Sequence, residues 1–327
     1  MRFSLKPGKH RVNLVIKDHV IRFSYTNSPA ELDDLDYFGV QTLPKGVIKE
    51  GKILDSQTLM SIIEQLVDTY NWKKDKLYFC LPDASVVIRT YQIPVDIEKD
   101  EIKGYLYMKL GDDLHLPFDD PIFDYQFLHK DENMNHILLF AYPEQQIRIY
   151  ESIFEETKLR AKVADLSSLS IYRLYNQSNP NKEDEHLLSL QWNVDGCVLT
   201  VFRKGRPEFI RHMKNPLDIE SFKKATVDSF RFEWYGPQED LNAYIQDQLM
   251  EVQRVMDFYR YSVMKGDAGI TKILLSGDFS ELTYVYSECT ERFSIPIELL
   301  RLHDIHTKSG ERLPDQFAEV AGLSLKE

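Results

Sequence analysis

This sequence has no excess of positive charge: its 40 Lys and Arg are outnumbered by 52 Asp and Glu, giving a formal net charge of −12 and a pI near 5.3. Nucleic-acid binders draw most of their affinity from neutralising phosphates, so a nucleic-acid partner is not expected. Cysteine is scarce too. Cys80, Cys197 and Cys289 lie far apart with no C-x-x-C pair among them, which excludes a metal or redox centre of that kind and reads as three buried, reduced thiols. No apolar run approaches the roughly 20 residues that span a bilayer. The start, MRFSLKPGKHRVNLVI, lacks the apolar core of a signal peptide. A cytoplasmic protein without direct membrane insertion is expected, and any work at a membrane would go through a partner.

What is present is ample apolar and aromatic material. A hydrophobic fraction of 43%, with 18 Phe and 18 Tyr, is enough for sizeable cores, and 327 residues exceed one core of ordinary size, so two lobes are expected. Val12 to Ile16 and Val20 to Tyr25 read as a hairpin turning at Lys17-Asp18-His19. A helix capped by Asp55 or Ser56 follows, with Leu59, Ile62, Ile63, Leu66, Val67 and Tyr70 on its core stripe. Lys76 to Leu81 and Ser85 to Ile93 read as two strands of one sheet. From Asp96 the order helix, strand, strand, helix suggests a small α+β module inserted into the first lobe, which resumes near Leu166. Asn176 to Glu185 contains no hydrophobic residue and is the expected linker.

Leu187 to Arg211 begins a second core as three short strands, reversing at Asp195-Gly196 and Lys204-Gly205. Ile219 to Phe232 looks helical. A long helix from Leu241 to Tyr261 carries Leu241, Tyr244, Ile245, Leu249, Val252, Met256 and Tyr259 on one face. Ile273 to Leu275 reads as a buried parallel strand, then a helix from Glu281 to Phe293 and a last strand from Ile297 to Leu300. The two lobes thus repeat a similar order, a weak internal duplication. The boundaries are 1–95 with 166–180 for the first lobe, 96–165 for the insert and 186–327 for the second lobe.

Enzyme-like features give way to simpler readings. His303 and His306 are three apart, but no Cys or acidic cluster completes a metal site around them. Asp119, Asp120 and Asp124 lack the surroundings that would split their pKa values for acid–base work. Ser168, Ser170 and Ser276 lie outside any G-x-S-x-G context. Tyr244, Phe258, Tyr259 and Tyr261 read as core rather than as a stacking platform for bases.

Six stretches carry a family resemblance: LPKGVIKEGKI (43–53), LPDASVVIRTYQIP (81–94), LHLPFDDPIFDYQFL (114–128), TVFRKG (200–205), EVQRVMDFY (251–259) and ILLSGDFSEL (273–282). In this order they resemble the actin-like type IV pilus assembly protein PilM family, related to the cell-division protein FtsA. The resemblance implies an α/β, actin-like (ribonuclease H-like) two-lobed fold with an FtsA-type inserted subdomain.

In such a fold ATP would lie between the lobes. Backbone N–H groups at hairpin turns must approach its phosphates closely, which favours Gly, and carboxylates must hold Mg²⁺. Against that pattern the acidic position of the first hairpin falls on Val15 and its glycine on Lys17. In the second hairpin they fall on Gln191 and Asn193. The third turn keeps Gly277 but continues with Asp278 and Phe279. Neither cofactor is expected, and the chain reads as a pseudo-ATPase; a nucleotide-gated or active ATPase with ATP and magnesium is the alternative. Asp18 and Asp195, at the two hairpin tips, read either as displaced magnesium ligands or as turn residues, the latter favoured because Asp is a preferred turn former. Lys17 reads as a phosphate contact or, preferably, a solvated tip lysine.

The family also implies a partner. The groove between first lobe and insert would take the extended N-terminal cytoplasmic tail of a PilN-like single-span membrane protein. Here that groove is expected along Leu81, Pro82, Ser85, Val87, Leu114, Leu116, Pro117 and Phe118. A PilO-like protein and a secretion motor ATPase are the further partners implied, in a type IV pilus or competence pseudopilus machine. An actin-fold sugar or metabolite kinase is the remotest alternative, because no cleft carboxylate suits that catalysis.

Overall fold

In the computed structural model residues 10–26, 32, 35–180, 183–225 and 230–327 are described. Strands β1 (Arg11–Ile16) and β2 (Val20–Thr26) form the opening hairpin, closed where Lys17 N donates to Val20 O at 2.8 Å. β3 (Leu35–Thr42) extends the meander, and β4 (Ile48–Lys49) and β5 (Lys52–Ile53) make a tight hairpin at Glu50-Gly51. Both turn residues have positive φ, 52° and 74°, the geometry of a primed hairpin turn.

Helix α1 (Ser56–Tyr70) starts where Asp55 accepts from Thr58 N at 3.0 Å and ends on Asn71 in the left-handed region. Its buried face is Leu59, Ile63, Leu66 and Val67. β6 (Lys76–Leu81) then pairs parallel with β1.

The next strand departs from expectation. β7 (Val87–Pro94) does not join β6; it pairs antiparallel with β9 (Met134–Pro143), which also pairs with β8 (Pro121–Lys130). These strands, with helix α2 (Ile102–Met108), make the inserted module around Ile93, Ile102, Leu106, Leu114, Phe123 and Ile137. Helix α3 (Glu144–Glu156) already belongs to the first lobe, where Tyr150, Ile153 and Phe154 share a core with Leu59 and Ile63. β10 (Arg160–Leu166), not expected as a strand, pairs parallel with β6. The insert therefore spans about 87–143 rather than 96–165. Periodicity locates amphipathic segments but does not say which sheet they cover.

After α4 (Ser167–Ser178) the second lobe repeats the first. β11 (His186–Asn193), β12 (Gly196–Arg203) and β13 (Arg206–Lys214) form a meander, and β16 (Lys272–Ser276) and β17 (Ile297–Leu299) add in parallel. The sheet orders are β10-β6-β1-β2-β3 and β13-β12-β11-β16-β17, the same topology twice. The expected duplication is therefore strong, and with the insert it yields the two-lobed architecture implied by the resemblance.

Between β13 and β16 the segment expected to be helical instead forms β14 (Phe222–Lys224) and β15 (Phe232–Trp234), with 226–229 outside the described residues. Phe222 and Phe232 bury into the second core from this hairpin, so packing overrides the helical spacing. α5 (Gln238–Phe258) runs into a π-helical turn at Tyr259–Val263. Tyr244 and Tyr259 are buried as expected, whereas Phe258 and Tyr261 are exposed. α6 (Leu282–Arg292) follows β16.

The last element, α7 (Ala318–Ser324), has every residue buried. It lies with α4 in a third core between the lobes, which takes Val15 and Cys80 from one and Leu187, Phe202 and Leu274 from the other. Among the described residues no helix is long and apolar enough to cross a membrane.

Candidate functional site

Two places collect the residues of interest: the cleft between the lobes and a groove beside the insert. In the cleft the β1–β2, β11–β12 and β16–α6 turns meet. Val15 lies in β1 and is core, 2% exposed. Lys17, expected as a solvated tip, is instead nearly buried: its Nζ lies 2.8 Å from Oε1 of Glu319 on α7. Burial alone would lower its pKa, but Glu319, then Asp195 and Asp278, outweigh that and hold it above the ordinary lysine value. A polar chain continues from there across both lobes. Gln191 Nε2 donates to Glu319 Oε1 at 2.8 Å and to Ser167 Oγ at 2.9 Å, and Ser167 Oγ donates to Asp83 at 2.5 Å. Burial pushes the Asp83 carboxyl up to about 6, against the pull of the Ser167 hydrogen bond.

Asp278 is the second focus. Its carboxylate lies 2.8 Å from Arg22 Nη1 and 3.1 Å from His19 Nε2, and accepts from Val194 N at 2.9 Å. Burial opposes its ionisation, yet Arg22 and then His19 hold it well below the usual carboxylate range. Asn193 Oδ1 accepts from Asp278 N at 3.3 Å. Gly277 is retained for a packing reason: at φ +132° its Cβ would stand 1.9 Å from Trp192 O.

Asp18 accepts from Glu50 N at 2.5 Å and Gly51 N at 2.9 Å, bracing the β4–β5 turn. Its own N faces Asp195 Oδ2 at 3.4 Å across the cleft. Burial, and next Asp195, raise its carboxyl to about 6. The cavity left among Val15, Lys17, Asp18, Asn193, Asp195 and Asp83 is about 40 Å³. Pockets for ligands of nucleotide size measure roughly 300 Å³ or more. In this lobe arrangement the space among these side chains is far smaller than that.

The sequence reading missed Arg22, Glu319, Ser167 and Asp83. For two of them a signal existed: Arg22 stands within the apolar run VIRFSY and Glu319 within FAEVAGL. A lone charge in a buried run needs a buried partner.

The groove lies between the outer edges of two sheets. β8 is the edge of the insert's sheet and β10 the edge of the first lobe's, with no further strand paired to either among the described residues. The space between them is about 520 Å³, with Leu81, Phe140, Ile147, Leu166 and Leu169 among its apolar lining and Lys103, Asp124, Asp165 and Lys326 as its charges. Of the eight residues expected there, only Leu81 lines it. Pro82 faces the interlobe cavity instead, and Ser85 closes a 3₁₀ turn. Val87, Leu116 and Phe118 pack partly buried on the insert's core, Leu114 is fully inside it, and Pro117 is exposed. The run Leu114–Phe118 is apolar because it folds back to close that small core. It does not reach the groove.

Elsewhere, His303 Nδ1 lies against Arg312 at 3.0 Å, and the three cysteines are free and buried. Among the described residues no group of three or more His, Cys, Asp or Glu side chains is arranged to hold a metal.

The comparisons bear on family and fold. The family described as type IV pilus assembly protein PilM matches residues 18–215, from the first hairpin tip to the end of β13. None of the curated proteins matches the sequence. A solved structure of a PilM–PilN type IV pilus biogenesis complex is similar over 97% of this chain and 99% of that one, with a TM-score of 0.77 at 16% identity. The ethanolamine utilization protein EutJ from Carboxydothermus hydrogenoformans follows at 0.55 and 9% identity, covering 98% and 90%. The cytoplasmic domain of EpsL, from the type II secretion system of Vibrio cholerae, is similar at 0.50 and 10% identity, over 97% and 95%. The fold is actin-like.

Proposed function

The chain belongs to the type IV pilus assembly protein PilM family, and from that membership we propose that it is an actin-like scaffold of a type IV pilus or competence pseudopilus machine. It docks the N-terminal cytoplasmic tail of a PilN-like single-span membrane protein, stays at the cytoplasmic face of the membrane through that partner, and turns over no ATP. A PilO-like protein and the secretion motor are its further partners in this reading.

The observation that carries the reading is the groove between the β8 and β10 edges. An extended tail can add backbone hydrogen bonds to an open edge and seat apolar side chains on Leu81, Leu166 and Leu169. The similar solved PilM–PilN complex supports the choice of partner. The filled cleft supports the absence of turnover, since Lys17 and Asp278 are already satisfied by the chain's own Glu319 and Arg22. Copurification with a full-length PilN-like protein in detergent tests the docking: retention of an intact complex is expected, and loss of it from a well-folded preparation would contradict the reading.

One observation favours a second reading, a nucleotide-gated or active ATP-binding member. Asp18 and Asp195 meet across the cleft, where carboxylates could face magnesium if the lobes opened. Tight, magnesium-dependent ATP binding by the purified protein would favour it over the first.

A further inference from the structure

α7 reaches from one site to the other. At its start Glu319, 5% exposed, bonds Lys17 of the first lobe and Gln191 of the second. Just past its end Lys326 stands in the groove, with Nζ 3.8 Å from Asp165 Oδ1. About 7.5 Å of helix separates Glu319 from Ser324 at roughly 1.5 Å per residue.

The helix is gripped along its length. A Cβ on Gly322 would lie 1.9 Å from Ser170 O, so α7 and α4 touch backbone to backbone. Arg173 donates to Gly322 O at 2.7 Å and to Asp165 at 2.8 Å, tying α7 directly to the β10 wall of the groove. Ser170 Oγ donates to the same Asp165 oxygen at 3.4 Å. Arg11, 3% exposed, donates to Ser324 O and, at 2.6 Å, to Lys326 O. A packed helix held at both ends in a close-packed interior passes a displacement on rather than absorbing it.

We propose that α7 is a lever that couples the interlobe cleft to the groove, so that the Lys17–Glu319 pair sets how firmly the groove holds a partner tail. With the pair made, α7 stations Lys326 and Gly322 so that Asp165 and the β10 edge are fixed in place. When the pair breaks, through lobe opening or through any ligand that takes Lys17, the helix start is released and the β10 wall loosens. The identity of the groove's occupant rests on the docking reading above; the coupling does not.

The test compares the wild type with Glu319→Gln and Lys17→Met, which break the pair from opposite ends. Hydrogen exchange of the free proteins is read first. Amides of α7, α4 and β10 are expected to exchange about five-fold faster or more in both variants, the low end of usual coupling, while β11 and β16 stay unchanged. The affinity of a labelled peptide of a PilN-like cytoplasmic tail is read second and is expected to fall by a similar factor. Unchanged exchange at β10 would overturn the coupling, even if the wild type binds peptide well. Acceleration spread evenly through β11 and β16 would also overturn it, as general destabilisation. If the wild type ignores the peptide while β10 responds as expected, the docking reading fails and the lever stands.

Discussion

Asp278 and Arg22 come from different lobes and lie 2.8 Å apart, with side chains 2% and 1% exposed. Removing Asp278 strands the buried Arg22 guanidinium, whose Nε and Nη2 have no partner among the described residues. Asp278→Ala should therefore cost about 3–5 kcal/mol in urea unfolding. The double variant Arg22→Met with Asp278→Leu should cost clearly less than the two single losses summed. An additive result would mean that the pair does not hold the lobes together.

Asp83 should make stability depend on pH in the acid range. Its folded carboxyl sits at about 6 against 3.8 for an ordinary Asp, so between those values the folded chain holds the proton more tightly than the unfolded one. Stability contributed by that proton is present below pH 4 and is lost as pH rises towards 6. Asp83→Asn, which keeps an acceptor for Ser167, should flatten this slope and gain on the order of 2–3 kcal/mol at pH 7. Denaturant midpoints at pH 4 and pH 7 for both proteins would show it. Asp18, also at about 6, keeps its own share of the slope in the variant.

Gly277→Ala should be severely destabilising, because the added methyl meets Trp192 O and the backbone lies at φ +132°. A loss of roughly 3 kcal/mol or more is expected. A mild effect would mean that the glycine is kept for something other than this packing.

Millimolar ATP with magnesium should leave the melting temperature unchanged, since a ligand stabilises only in proportion to RT ln(1 + [L]/Kd). A shift that requires magnesium would move the account to the nucleotide-gated alternative.

Much of this was legible beforehand. The α1 stripe apart from Tyr70, which is exposed, the Asp195-Gly196 reversal and the parallel β16 follow from local patterns, because turn chemistry and apolar spacing act within a few residues. The hairpin positions Lys17, Gln191 and Asn193 could be placed at the cleft by resemblance. What they do there could not, because Lys17 finds its partner 302 residues away on a seven-residue helix. β10 was missed because only its last two residues are buried, which leaves RAKVADL without alternation. Leu114 and Leu166 differ for a related reason: both are apolar, and only the strand pairing puts the first inside the insert's core and the second beside the space between β8 and β10.

The central claim is that the groove between β8 and β10 holds the partner's tail. Calorimetric titration of a synthetic PilN-like tail peptide into the wild type and into Leu169→Asp tests it most directly, since Leu169 lines the groove and is only half buried. Saturable binding by the wild type, weakened about ten-fold or more in the variant, is the predicted result, a charge in an apolar pocket costing well over about 1.4 kcal/mol. Equal binding by both proteins, or none by a folded wild type, would contradict it.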